Sequence, residues 1–126
     1  MPVIGIGLDL VEVKRIRDLL ARHGERFKKR LFTVEEMAYC DTFAEPAIHY
    51  AARFAAKEAA VKALGTGFAG DVGFADVEVT RLASGQPQLR FHGGAARRVA
   101  ALGVTQAWVS LTHTGDHAVA QVLLEG

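Results

Sequence analysis

Between Ala47 and Leu64 the chain runs for five turns' worth of residues in which alanine recurs throughout, at Ala51, Ala52, Ala55, Ala56, Ala59, Ala60 and Ala63. Pro46 precedes this segment and Gly65 follows it, a natural start and stop for a helix. Alanine favours the helix and covers little surface, so another element can approach its backbone closely. The segment is therefore expected to be a central, buried helix. In the N-terminal segment Val3–Leu10, Ile4, Ile6, Leu8 and Leu10 alternate with Gly5, Gly7 and Asp9. It reads as a strand with one greasy face and one nearly bare face.

Helical periodicity follows from about Val11 to His23, with Gly24 as its stop. Thr33 and Glu36 form a capping-box pattern that opens a short helix towards Cys40. The second half reads mostly as strands. Val77 and Val79 alternate with charged residues, Ser84-Gly85-Gln86-Pro87 is a turn, and Gln88–Phe91 returns. A short helix is expected over Ala95–Leu102. Ala107–Thr112 and Ala118–Leu124 then make a hairpin around Thr114-Gly115-Asp116. Hairpins with segregated helices specify an α+β fold, an antiparallel sheet packed on the long alanine-rich helix. At 126 residues the chain fits one domain, residues 1–126. So short a chain buries a modest share of its surface, which makes a subunit interface plausible.

The formal charge of +1 argues against a dedicated nucleic-acid binder. Charge is nevertheless uneven: Lys14 to Arg30 holds eight Lys or Arg against two acids. That block is either a solvated helix face or a surface that steers an acidic partner. Cys40 is the only cysteine, so no internal disulfide or cysteine zinc site is expected, and a cytoplasmic setting fits. The N-terminus lacks the basic start of a signal peptide, and no apolar run approaches the roughly 18 residues of a membrane helix.

Four patterns could carry chemistry. Gly5-Ile6-Gly7-Leu8-Asp9 is not a dinucleotide fingerprint, since Leu10 stands where the third glycine belongs. A carboxylate beside two glycines suits magnesium, which takes oxygen ligands and keeps waters and substrate phosphates. On these residues alone, Asp9 could equally cap the following helix. In the central helix, Glu58 and Lys62 share one face, and Arg53 and Lys57 share another. Gly65-Thr66-Gly67-Phe68-Ala69-Gly70 follows a helix instead of a strand and so is a stop and a loop, not a phosphate cradle. His113 sits where a strand ends, and the turn between it and His117 breaks the phasing a zinc pair needs.

Two of these segments together resemble one family. GIGLDLVEV, Gly5 to Val13, is similar to the N-terminal signature of holo-acyl-carrier-protein synthases, the short bacterial phosphopantetheinyl transferases. RFAAKEAAVKALGTGF, Arg53 to Phe68, resembles their second signature, and VSLTHTGDHAVAQVLLE their closing hairpin. The resemblance implies transfer of the phosphopantetheine arm of coenzyme A to a serine of apo acyl carrier protein, in fatty-acid or polyketide synthesis. It implies that Asp9 and Glu58 hold Mg2+ and that Lys62 neutralises phosphate charge. Arg53, Lys57, Lys62, Gly65 and His113 are the implied coenzyme A contacts. Lys14, Arg15, Arg17 and Arg22 would face the acidic carrier. Such chains are typically homotrimers with sites between subunits. Candidates for the base that takes the serine proton are Glu58, Asp9, His113 or a metal-polarised water. The rival readings are another magnesium-dependent phosphate enzyme, or a non-catalytic module that docks acidic helices through Lys14–Arg30.

Overall fold

The computed structural model describes residues 2–126. The elements run β1 (Val3–Glu12), α1 (Val13–His23), α2 (Glu25–Leu31), α3 (Val34–Cys40) and α4 (Pro46–Leu64). A single turn of 3-10 helix at Phe74–Asp76 leads into β2 (Val77–Arg81), β3 (Pro87–Phe91), α5 (Gly93–Leu102), β4 (Gln106–His113) and β5 (His117–Glu125). The strands form two antiparallel sheets: a three-stranded one in the order β1-β5-β4 and the hairpin β2-β3.

The long helix is central, as its alanines require. Tyr50, Ala51, Ala55, Ala56, Ala59 and Ala60 are all fully buried. α4 lies across β1 and β5; β1 meets it with Gly5 and Gly7, while β5 turns Ala118, Ala120, Val122 and Leu124 inward. A methyl at Gly7 would run into the Ala59 carbonyl, and one at Gly5 into the Ala63 carbonyl. The bare face of β1 is thus the inner one. Ile6, Leu8 and Leu10, which are 58, 59 and 64 % exposed, point outward. Ile4 leaves this outward row. An irregularity in register between Val3 and Gly5 turns it inward against the core.

The boundaries correct the sequence reading in two places. The first helix begins at Val13, not Val11, because Val11 and Glu12 still pair with Ala118 and His117 of β5. The basic stretch after Gly24 is a helix of its own, α2, anchored by buried Phe27. α3 carries the expected capping box: Glu36 N–H donates to Thr33 Oγ1 and Thr33 N–H to Glu36 Oε1. Gly65 ends α4 in the left-handed region, at φ 77°. No described helix is long and apolar enough to cross a membrane.

Candidate active site

Asp9 lies on the inner face of β1, where the strand passes the last two turns of α4. Lys62 reaches down from α4 and donates to Asp9 Oδ1 and to the Leu8 carbonyl, each at 3.0 Å. Glu58 stands one turn earlier on the same face of the helix. Its carboxyl is raised above the usual range, by burial first and then by the negative charge of Asp9, while Lys62 and Arg15 pull it down. Glu58 lies close enough to Asp9 to feel its charge, and the two carboxylates with Lys62 beside them make a site that favours a divalent cation. Among the described residues no group of three or more His, Cys, Asp or Glu converges to hold a metal. A cation here would take only two ligands from the chain and the rest from water or substrate oxygens, which is the habit of magnesium.

Arg15 of α1 belongs to the same corner. Its guanidinium carbon sits 5.5 Å from the centre of the Phe54 ring on α4, and its charge favours the ionised form of Glu58. Arg15 and Arg22 line one groove with Glu12, Lys14, Asp18 and Leu19. Lys14 is paired with Asp18 at 3.1 Å. Arg17 departs from its expected place with Arg15 and Arg22. It faces the other side of α1, 3.7 Å from Glu45, beside Leu20, Ala21 and Pro46. The reason is helical phase: residues two apart on a helix are 200° apart around it, so Arg15 and Arg17 cannot share a face.

Lys57 corrects the sequence reading more sharply. It is fully buried, with no surface from which to touch a nucleotide. Its ammonium donates to Glu36 Oε1 at 2.8 Å, to the Phe74 carbonyl at 3.1 Å and to the Val77 carbonyl. Glu36 in turn accepts from the N–H of Val79. Lys57 therefore ties α3 and the start of β2 to α4.

Arg53 and His113 gather elsewhere. Arg53 lines a recess of about 480 Å³ with Tyr39, Arg81, Arg90 and the acids Glu35 and Glu78, and His113 closes β4 beside His49 at 5.6 Å between ring centres. His49 and Arg53 lie about half a turn around α4 from Glu58 and Lys62. Asp9 and His113 stand on opposite edge strands of the sheet. Within one chain the expected residues thus fall into two separate clusters: Asp9, Glu58, Lys62 and Gly65 on one side of α4, Arg53 and His113 on the other. Tyr39, His49 and Arg81 carried no signal in the sequence, because they meet only through the fold.

The chain is thus an α+β molecule with a carboxylate pair and a lysine on one flank of its central helix and a recess lined by arginines on the other. The model of the 4'-phosphopantetheinyl transferase superfamily matches residues 5–122, and the chain belongs to that family. It is 47% identical over 123 residues to the holo-[acyl-carrier-protein] synthase of Koribacter versatilis, covering 98% of each chain. The crystal structure of holo-[acyl-carrier-protein] synthase from Neisseria meningitidis superposes with a TM-score of 0.90 at 33% identity, covering 99% of this chain and 100% of that one. The synthase from Bacillus anthracis, in complex with CoA (3',5'-ADP), matches with a TM-score of 0.79 at 33% identity over 97% of this chain and 96% of that one.

Proposed function

We propose that the chain is a magnesium-dependent transferase. It moves the 4'-phosphopantetheine arm of coenzyme A to a serine of apo acyl carrier protein and releases adenosine 3',5'-bisphosphate. Residues 1–126 act as one transferase domain. The observation that carries the reading is the meeting of Asp9, Glu58 and Lys62 in a chain of this family. Asp9 and Glu58 would hold the magnesium ion, which when bound supplies positive charge to the pyrophosphate of coenzyme A.

The serine oxygen attacks the phosphorus on the pantetheine side, the bond from that phosphorus to the bridging oxygen breaks, and the hydroxyl proton passes to a base, for which Glu58, Asp9, His113 or a water are the candidates. Negative charge grows on the departing bisphosphate. Lys62 is already oriented by the Leu8 carbonyl and by Asp9, so its charge needs little reorganisation to oppose that growth. Gly65 and the loop after it border this flank, and the absence of a side chain at Gly65 lets a ligand pass close to the helix end. Arg15, Arg22 and Lys14 lie on the groove beside the carboxylates and would meet the acidic surface of the carrier. Arg53 and His113 are the coenzyme A contacts of the opposite half-site.

The half-sites meet only if a second chain brings its Arg53 flank to the first chain's Asp9 flank. The outward row of Ile6, Leu8 and Leu10, extended by Trp108, is the apolar surface such an assembly would cover. The apolar row calls for another copy, and a homotrimer is the assembly that the family resemblance implies.

The direct test mixes the protein with apo carrier, coenzyme A and magnesium and weighs the carrier. A gain of one phosphopantetheine mass is expected, and chelation of magnesium should stop it. Asp9→Ala and Glu58→Ala should each remove the gain while circular dichroism stays native. Near-normal turnover in either variant overturns the assignment of those carboxylates.

A further inference from the structure

Residues 65–73, between the end of α4 and the 3-10 turn, border the flank that holds the carboxylate pair. The segment leaves the helix one turn beyond Lys62. Its Phe68 stacks on Phe74 at 3.7 Å, Phe74 stacks on Phe54 at 5.6 Å, and Phe54 stands one turn before Glu58 on α4. The segment thus begins beside Lys62 and comes back to the turn that precedes Glu58. Gly67 and Gly70 sit in the left-handed region, at φ 59° and 66°, with open space around them. The backbone therefore bends there without packing to hold it. Among the described residues, no backbone hydrogen bond joins positions 67–71 to another element.

α5 grips this segment at both ends. At the near end, Arg98 Nε donates to the Leu64 carbonyl at 3.3 Å. At the far end, Arg97 donates from Nε and Nη2 to Asp71 Oδ2, at 3.1 and 2.7 Å. Asp71 rests directly on the opening turn of α5, where unpaired N–H groups favour a carboxylate. A methyl at Gly94 would run into the Asp71 carbonyl and its carboxyl carbon. The bonds from Arg97, then the N–H of Asp71 itself, hold this carboxyl below the usual range. Both side chains are nevertheless 69 and 66 % exposed. A pair so exposed shifts an equilibrium by about fivefold at most. That is too little to hold the fold together, and enough to bias a short segment between two positions.

We propose that Arg97 and Asp71 are positioning residues: they latch the glycine-bearing segment 65–73 against bound coenzyme A, with Arg98 fixing its hinge at the end of α4. The identity of the ligand rests on the transferase reading above; the latch does not. Neither residue belongs to the cluster of Asp9, Glu58 and Lys62. Arg97 acts through Asp71, and Asp71 acts through the backbone that runs back to Gly65. With the latch open, the segment swings on its glycines and the ligand enters or leaves. With it closed, the segment lies along the ligand. Breaking the pair lowers the closed population, so affinity for coenzyme A falls by that fraction. The chemistry at the carboxylates and Lys62 is unchanged once the ligand is in place.

Two measurements test this. The first is steady-state kinetics at saturating carrier. Asp71→Asn and Arg97→Gln should each raise KM for coenzyme A about threefold and leave kcat nearly unchanged. The double variant should show no larger rise, because the second change has no pair left to break. Arg97→Lys keeps the charge and should recover most of the loss. Unchanged KM in the single variants, effects that multiply in the double variant, or a fall confined to kcat overturns the proposal. The second measurement is nicking by chymotrypsin after Phe68, read by mass, without and with adenosine 3',5'-bisphosphate. Without ligand, both single variants should be nicked about threefold faster than the wild type. The bisphosphate should slow nicking of the wild type. Equal rates in wild type and variants overturn the latch, and a bisphosphate that gives no protection overturns its closure on the ligand. A wild type that modifies no carrier sinks the transferase reading instead. In that event, the nicking rates without ligand still decide whether Arg97 and Asp71 hold the segment.

Discussion

Lys57 and Lys62 are five residues apart on one helix, yet physics gives them opposite tasks. Lys57 is fully enclosed and holds Glu36 at 2.8 Å, and burial pulls its ammonium below the usual value although Glu36 opposes this. Lys57→Ala leaves Glu36 as a buried charge with its cation gone, and should cost about 3–5 kcal/mol in denaturant unfolding. Lys62 is 53 % exposed at its side chain, so its pair with Asp9 is of the weak, screened kind. Lys62→Ala should change stability by less than about 1 kcal/mol while abolishing carrier modification. Both lysines stand in one sequence motif, and both read there as ligand contacts. What separates them is Glu36, which lies on another element and is invisible until the chain folds. Glu78 adds a pH dependence. Burial pushes its carboxyl up, but hydrogen bonds from His92 and Thr33 and the charges of His92 and Arg90 bring it below the usual value. A carboxylate depressed in the folded state stabilises above its unfolded pKa, and the contribution fades as pH falls through the folded one. The unfolding midpoint of the wild type should therefore drop on acidification below about pH 4.5, and Glu78→Gln should flatten that slope.

At the scale of elements, the decisive contact is β1 beneath α4. Glycine at positions 5 and 7 lets the helix backbone sit directly on the strand, which in turn sets Asp9 under Lys62 and Glu58. Gly7→Ala drives a methyl into the Ala59 carbonyl, a backbone atom that cannot turn aside. It should destabilise the fold by about 1–3 kcal/mol and impair transfer through the displaced Asp9. Gly115→Ala, in open space with ordinary backbone angles, should stay within about 0.5 kcal/mol of wild type. The alternation of β1, the alanine-rich helix and both hairpins were legible in the sequence because each is a local pattern. Which face of β1 turns inward was not legible, since a greasy row beside a bare one ordinarily marks the greasy row as core. Only the smallness of the helix, read together with the strand, gives the other answer. α2 escaped for a different reason. Its seven residues are mostly charged, and one buried side chain, Phe27, holds it in place. The division of the strands into two sheets likewise depends on long-range packing that no local pattern encodes.

The molecule as a whole presents an incomplete surface. The outward face of the three-stranded sheet carries Ile6 beside Leu123 and Trp108, and Leu10 beside Val119. Between these rows lie Leu8, Gln121 and Ser110. Ile6, Leu8, Leu10 and Trp108 are each about half exposed or more, an arrangement that stays soluble when another copy covers it. Leu8→Lys should convert the proposed trimer to a monomer in light scattering and abolish transfer, although Asp9, Glu58 and Lys62 are untouched. Loss of assembly with full activity would mean that one chain holds a whole site. Complementation separates these possibilities more sharply. An Asp9→Ala chain lacks the carboxylate half-site and keeps Arg53 and His113; an Arg53→Gln/His113→Ala chain has the reverse defect. Each alone should be inactive. If sites join the flank of one chain to the opposite flank of its neighbour, co-assembly in equal amounts leaves a site whole only when both contributing chains are of the right kind. Random mixing makes that about a quarter of the sites, so activity should return to about a quarter of wild type. If each chain carried both half-sites in a single working centre, every site in the mixture would keep one defect and no activity would return.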